Sequence, residues 1–347
     1  MKIALINNLY DPFSRGGAEK VVQKMINDYQ KDGHDVFLIS TKPPKAKTPL
    51  ENSCPSYYLN SHYFNLANHC FFWRLIWQLN NLFFLKKNYK KILKKEKPDL
   101  VVTHNLMGIG FRLPALLRKM RIRHEHYLHD IQLLHPSGLI IFGQENIINS
   151  CLAKLYQFFT SRFFASPFKV ISPSHWLLNE HQKKSFFKKS KLIVKPLMII
   201  DKKEEKTENK QIAKNFLFVG QIENHKGIIF LIKTFKEALK TRPEIKLNII
   251  GDGTVLKKAK EIANDTSAIN FLGRLESSDV YDFMKKSDKL IVPSLCYENS
   301  PTTIYEAQKL NLPVIAARIG GIPEMMLQQD ILFKPGDKED LQDKILK

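Results

Sequence analysis

Twice along this chain the same local pattern recurs: a short apolar strand, a loop carrying glycine or proline, then a helix with an apolar stripe. KIALINN leads through LYDPFSRGGAEK into VVQKMINDYQKDG, a helix closed by Gly33, and HDVFLIS supplies the following strand. A strand, a crossover helix and a second strand make one βαβ unit. A helical region over residues 64–96, the strand-to-loop segment PDLVVTHN, the strand RHEHYLHD and the strand, turn and helix of KVISPSHWLLNEHQ extend the series. A second series starts at FLFVGQI and runs through KGIIFLIKTFKEALK, IKLNIIGDG, KLIVPSL, PTTIYEAQKLN and LPVIAAR. Between them DKKEEKTENKQ has no apolar period and reads as a linker. The expected fold is therefore α/β: two Rossmann-like doubly wound domains facing a central cleft, over residues 1–200 and 215–347, joined by a linker at 201–214. In such sheets ligands bind beyond the carboxyl ends of the strands, so the loops after strands are where chemistry is sought.

Charge narrows the partners. Residues 1–196 carry 30 Lys and Arg against 12 Asp and Glu, a net of +18, whereas residues 197–347 carry 24 against 22, a net of +2. A uniform lysine bias would raise both parts, so the first part is expected to face something anionic: a membrane surface, an acidic glycan or nucleic acid. The aromatic and basic segment with Trp73, Trp77, Phe83, Phe84, Lys86, Lys87, Lys90 and Lys91 reads equally as a membrane-surface helix or as a core-packed helix with a solvated lysine face. No stretch has the ~20 continuous apolar residues of a membrane span. The N-terminus reads as a first strand, not a signal peptide. Cys54, Cys70, Cys151 and Cys296 are widely spaced, with no C-x-x-C pair, and fit a reducing cytoplasm better than a disulfide or zinc framework. The expected location is cytoplasmic, with a peripheral place on the inner face of the membrane under the first of the two readings of the aromatic and basic segment.

The candidate site residues sit on the loops after strands. Gly16 and Gly17 precede the first helix, where bare amides can receive a phosphate. The G-x-G-x-x-G pattern of nicotinamide sites is absent. Gly220, Gln221 and Lys226 occupy the first strand-to-helix loop of the second domain, and a lysine there can neutralise phosphate as a point charge. Gly251, Asp252 and Gly253 end the next strand and offer a backbone-lined slot for a base. His129 and Asp130 follow a strand; the imidazole of His129 either binds a sugar hydroxyl or fixes the loop. In YENSPTTIYE, Ser300 reads as an N-cap and Pro301 as the first helical residue. Glu298 then lies in the loop and Glu306 in the first two turns, with the amides of Thr302 and Thr303 free at the helix end. A carboxylate accepts hydrogen bonds from vicinal hydroxyls, so acid, anion-binding amides and acid in succession suit a sugar, a phosphate and a ribose. No Asp-x-Asp, Walker, H-E-x-x-H or G-x-S-x-G motif occurs.

Taken in order, GGAE, YLHDIQLLHPSG, FVGQIENHKG, IIGDG, PSLCYENSPTTIYEAQKLNLPVIA and GGIPE resemble the retaining glycosyltransferases of family four, also called group one, with the GT-B fold. The resemblance spans essentially the whole chain. It implies transfer of a hexosyl group from a nucleotide-diphosphate sugar to a glycan or lipid-linked acceptor, with retention of anomeric configuration and without a metal or other cofactor, in cell-surface polysaccharide biosynthesis. It further implies that the departing diphosphate helps to deprotonate the acceptor. Residue by residue it places Glu298 on the donor-sugar hydroxyls, Asn299, Ser300, Pro301 and Thr302 around sugar and phosphate, and Glu306 on the ribose. Lys226 would neutralise the diphosphate, Gly16 and Gly17 would approach phosphate and acceptor, and His129 would stand near the reacting carbon as a catalytic residue with Glu298. Gln221, Lys226 and Gly251 complete the implied donor-binding set.

Two departures stand out. The family usually has Arg where this chain has Gln221, which keeps a donor but loses a charge. Family members also continue past the point where this chain stops, KEDLQDKILK, with helices that return to the first domain, so either a truncated sequence or an incomplete clamp is expected. These departures leave a second reading, a catalytically weak sugar-nucleotide-binding subunit. A GT-B sugar-nucleotide epimerase shares the fold but not the Glu-x7-Glu block. Nucleic acid is not an expected partner, since no recognised binding motif is present.

Overall fold

The computed structural model describes all residues except 15, 50–52, 198–211 and 265. Thirteen strands and eleven α-helices lie in the described residues, and the chain divides into two compact units. The first comprises Met1–Leu139 and Asn146–Pro196, and the second Ile140–Glu145 and Leu197–Lys347. Of the expected linker, residues 201–211 lie outside the described residues.

In the first unit the chain runs β1 (Lys2–Ile6), α1 (Gly17–Lys31), β2 (Asp35–Lys42), β3 (Ser56–Asn60), α2 (Phe71–Phe83), α3 (Lys87–Glu96), β4 (Leu100–Thr103), α4 (Leu113–Lys119), β5 (Arg123–Tyr127), α5 (Cys151–Phe164), β6 (Lys169–Ser172), α6 (His175–Lys183) and β7 (Lys191–Val194). Its strands make one parallel sheet in the order β3-β2-β1-β4-β5-β6-β7. Order reverses between β1 and β4, the topological switch point of the unit. A parallel sheet is covered on both faces, so its central strands must be apolar throughout. β1 and β4 obey: Ile3, Leu5, Val101 and Val102 are all buried, with Val22 and Ile26 of α1 packed on Ile3, Leu5 and Val102. Gly33, at φ +76°, turns the chain out of α1, a left-handed position that favours glycine.

The single helical region expected over residues 64–96 is three pieces. A 3-10 turn covers His62–Asn68, and α2 and α3 follow, with Phe84 extended between them at φ −119° and ψ 145°. A contact distant in sequence accompanies the break: the Asn81 carbonyl near the end of α2 accepts the Phe111 amide at 3.0 Å. A Cβ on Gly110 would lie 2.9 Å from the Phe84 carbonyl oxygen, so this close approach needs glycine.

The second unit runs β8 (Asn215–Val219), α7 (Ile228–Thr241), β9 (Lys246–Ile250), α8 (Leu256–Ala263), β10 (Ile269–Gly273), α9 (Ser277–Lys286), β11 (Lys289–Val292), α10 (Thr302–Lys309), β12 (Val314–Ala317), β13 (Ile331–Phe333) and α11 (Lys338–Leu346). Its parallel sheet has the order β10-β9-β8-β11-β12-β13, with the switch point between β8 and β11. Phe216, Leu217, Ile249, Leu290 and Ile315 form the buried centre, onto which Leu231 and Phe235 of α7 pack. The six residues Ile140–Glu145 belong to this unit although they interrupt the first in sequence. They run beside the β11–α10 loop: Ile141 bridges Cys296, the Phe142 amide donates to the Leu295 carbonyl at 2.8 Å, and the Tyr297 amide donates to the Ile140 carbonyl at 2.9 Å.

A cluster of imidazoles lies within the first unit. The Thr103 hydroxyl meets His124 Nε2 at 2.7 Å and His126 Nδ1 at 2.8 Å, and His104 Nδ1 meets His129 Nε2 at 2.8 Å. Burial holds His124 down to about 3, His129 and His181 to about 4, and His104 and His126 well below the usual imidazole range. Folded values below the unfolded one of about 6.5 mean that this stability is present above that pH and is lost as pH falls toward 4. Each imidazole that stays neutral only in the folded state costs about 1.4 kcal/mol per pH unit below pH ~6. The urea midpoint of the first unit is therefore expected to fall steeply between pH 7 and pH 5. A midpoint flat across that interval would contradict the neutral assignment.

Candidate active site

The second unit gathers its chemistry where the switch point puts it. Lys226 lies on the loop after β8 and Glu298 on the loop after β11, the two strands flanking the reversal. Their side chains meet at 2.5 Å, Lys226 Nζ donating to Glu298 Oε1, which also accepts the Ser294 hydroxyl at 3.0 Å. The pair is mostly enclosed, with 27% of the Lys226 side chain and 14% of the Glu298 side chain exposed. Burial pulls the Lys226 ammonium down, but the Glu298 charge and hydrogen bond outweigh it and leave its pKa above the ordinary lysine range. Beneath them burial, reinforced by the Glu298 charge, pushes the Cys296 thiol up to about 12, so it stays protonated.

Backbone approaches around the pair demand glycine. A Cβ on Gly227, at φ +76°, would fall 1.8 Å from the Pro293 carbonyl oxygen. One on Gly320, at φ +62°, would fall 2.1 Å from the Glu298 carbonyl oxygen, which also accepts the Gly321 amide at 2.8 Å. One on Gly251 would fall 1.9 Å from the Gly220 carbonyl oxygen. The loops after β8, β9, β11 and β12 are thus drawn together at the sheet's carboxyl edge, with Lys226, Gly251 and Glu298 on three of them. Gln221 shares the β8 loop and is exposed.

The YENSPTTIYE block folds one residue later than the sequence reading placed it. α10 starts at Thr302, and Pro301 is its N-cap residue at φ −59° and ψ 121°. Ser300 does not cap the helix; its hydroxyl donates to the Tyr305 hydroxyl at 3.1 Å. Thr302 and Thr303 are therefore the first two helical residues, whose amides have no intrahelical acceptor. Asn299 is buried, and Glu306, in the second turn, is half-buried.

In the first unit the glycine pair departs from expectation. The Gly16 amide is not bare: it donates to the Glu19 carboxylate at 3.1 Å, and Glu19 is itself buried. A carboxylate three residues into a helix reaches back to the N-cap amide in this way. Gly17 is the first residue of α1. His129 is half-buried and paired with His104, while Asp130 Oδ1 accepts the Gln132 amide at 2.7 Å. Enclosure pushes the Asp130 carboxyl up to about 6.

Sequence reasoning missed Ser294, Gly320, His104 and the strap Ile140–Glu145. The GG of GGIPE marked the place of Gly320 without indicating its approach to Glu298. Among the described residues, no group of three or more His, Cys, Asp or Glu is arranged to hold a metal ion, and no helix is long and apolar enough to cross a membrane. Lys226→Met strands a largely enclosed carboxylate. It is expected to lower stability by about 1–3 kcal/mol, less than for a fully buried pair because both groups keep some solvent. Urea unfolding measures this, and an unchanged midpoint would show that the pair contributes nothing.

Residues 15–199 match the Glycosyltransferase Family 4 domain and residues 199–347 match Glycosyl transferases group 1. An uncharacterized 42.6 kDa protein in the cps region of Klebsiella pneumoniae is 27% identical, over 99% of this chain and 91% of its own. The putative teichuronic acid biosynthesis glycosyltransferase TuaC of Bacillus subtilis is 24% identical, over 99% and 88%. Among solved structures, Anabaena HepE in complex with UDP and glucose superposes with a TM-score of 0.68 at 18% identity, over 99% of this chain and 89% of its own. With the two matches meeting at residue 199 and a doubly wound parallel sheet in each unit, the chain belongs to the group 1, family 4 glycosyltransferases of GT-B fold.

Proposed function

We propose that the protein transfers a hexosyl group from a nucleotide-diphosphate sugar to a glycan or lipid-linked acceptor, with retention, in cell-surface polysaccharide synthesis. The observation that carries this reading is the Lys226–Glu298 pair at the switch point of the second unit, with Glu298 on the loop that leads into α10. An ammonium and two free helix amides form an anion site, and the carboxylate next to them accepts hydrogen bonds from sugar hydroxyls. A diphosphate takes over the Lys226 ammonium, which releases Glu298 to the donor sugar. Glu306, four residues beyond Thr302, is assigned to the ribose, and Asn299, Ser300 and Pro301 to the walls around sugar and phosphate. Gln221 contributes a neutral donor, so more of the leaving-group charge falls on Lys226 and the α10 amides. These positive groups make transfer without a metal the proposed route. From the family resemblance His129 is assigned to the donor sugar and Gly17 to phosphate and acceptor, the Gly16 amide being taken by Glu19. Support for the donor class and the setting comes from HepE, solved with UDP and glucose, and from the relatives in a cps region and in teichuronic acid biosynthesis.

A panel of UDP-, GDP- and ADP-sugars with cell-envelope extract, read by NMR for anomeric configuration, tests the reading. The expected result is a product of retained configuration, with Glu298→Ala lowering turnover by at least about 100-fold. Donor binding without turnover would support the non-catalytic subunit instead. Inverted product would refute retention.

We further propose that the first unit lies on an anionic membrane. Phe71 and Phe72 are 73% and 72% exposed, and Leu75, Ile76 and Leu79 continue the stripe at helical spacing along α2. Phe83, at the end of α2, packs edge-on against Phe159 of α5 at 4.8 Å, and α5 exposes Leu152, Leu155 and Phe158. Both helices lie in acid-free stretches: residues 52–95 hold seven Lys and Arg and residues 146–179 hold three, with no Asp or Glu in either. Lys95 pairs with Glu96 and Lys169 with Glu125, and exposed apolar side chains beside the remaining cations suit an anionic lipid surface. In liposome flotation at low salt the protein should rise with anionic vesicles and not with neutral ones, and Phe72→Ser with Ile76→Ser should weaken this. No binding to anionic vesicles would remove the membrane claim.

A further inference from the structure

The switch point of the first unit borders a cavity of about 440 Å³, within the ~300–1,000 Å³ range of small-molecule sites. Asn8, Asn105 and Asp130 line it from the loops after β1, β4 and β5, the strands at and next to the reversal. Tyr63, Arg74 and Gln78 line it from the helical side. Amides, a carboxylate and an aromatic ring around one cavity are the groups that hold hydroxylated rings.

Two features go beyond a generic polar pocket. The Gln78 Oε1 atom is buried and accepts no hydrogen bond among the described residues. A buried carbonyl oxygen without a donor is uncommon, and a ligand hydroxyl would satisfy it. One turn earlier on α2, exposed Arg74 lines the same cavity and has no carboxylate partner among the described residues. Its neighbourhood offers none in sequence, since residues 52–95 contain no acid. An unpaired guanidinium at the lip of a hydroxyl-binding cavity presents a planar fork to an oxyanion.

We propose that this cavity binds a saccharide carrying an anionic group, carboxylate or phosphate, and that Arg74 selects for the charge. The assignment of that saccharide as acceptor rests on the transferase reading; the binding itself does not. Asp130 and Gln78 take its hydroxyls, and Arg74 takes the oxyanion.

The test titrates the full-length chain with methyl β-D-glucuronide, glucose 1-phosphate and the neutral methyl β-D-glucoside by ligand-observed NMR at low salt. At least one charged probe should bind about tenfold tighter than the neutral one. Preference for the glucuronide identifies a carboxylate ligand, and preference for glucose 1-phosphate a phosphate. Arg74→Gln should erase the charge preference while leaving the neutral probe's affinity and the melting temperature unchanged, and Arg74→Lys should restore part of the preference. Equal affinity for charged and neutral probes, no binding of any probe, or an unaltered preference in Arg74→Gln overturns the proposal. Nucleotide-sugar binding measured on the same samples separates the two readings. If donor binds and no glycoside does, the cavity assignment falls alone. If a charged glycoside binds and no nucleotide sugar does, the transferase reading falls and the cavity assignment stands.

Discussion

Parallel pairing is the constraint on which the rest of this structure depends. Every strand of a parallel sheet points the same way, so every strand-to-helix loop of a unit emerges at one edge. Reversal of strand order then opens that edge at one place, between β1 and β4 in the first unit and between β8 and β11 in the second. The polar residues follow. Lys226 and Glu298 flank one reversal, and Asn8 and Asn105, joined by an amide-to-carbonyl bond of 3.0 Å, flank the other. The side chains differ because the loops differ, but their placement is a consequence of topology.

At the second switch point, close backbone packing makes the electrostatics possible. Gly227 and Gly320 let loop backbones come within contact of Pro293 and Glu298, where any side chain would collide. The strap Ile140–Glu145 adds a second fixing of the Glu298 loop, with the Tyr297 hydroxyl donating to Glu145 at 3.0 Å. A carboxylate held on both sides keeps its position when its lysine partner is engaged elsewhere, which is the preorganisation that transfer chemistry requires. In the first unit, by contrast, the histidines are held neutral by burial, and pH is the variable to which they respond.

What the sequence made legible was whatever is encoded locally. Strand hydrophobicity, the glycine turns and the alternation of strand and helix gave both doubly wound units, and the motif order gave the family. The YENSPTTIYE block was read to within one residue, since Pro301 is compatible with either the cap or the first helical position. Features set by contacts distant in sequence were not legible. The break at Phe84 goes with the Phe111 and Gly110 contacts, and Gly320 reaches the Glu298 carbonyl only in the folded loops. The Gly16–Glu19 and Ser294–Glu298 bonds span only three and four residues, but whether such a side chain turns toward its neighbour depends on the loop conformation. No linear boundary could have shown six residues of the first half packing with the second unit.

The central claim is that the second unit grips a nucleotide diphosphate through Lys226, and calorimetric titration addresses it most directly. UDP-, GDP- and ADP-glucose, with the free nucleoside diphosphates, are titrated into the wild-type chain and into Lys226→Met. The account predicts that one base series binds, and that Lys226→Met weakens the diphosphate by at least about tenfold while the corresponding nucleoside is little affected. Equal affinity in the two chains, or no binding of any nucleotide sugar to the wild type, would contradict it.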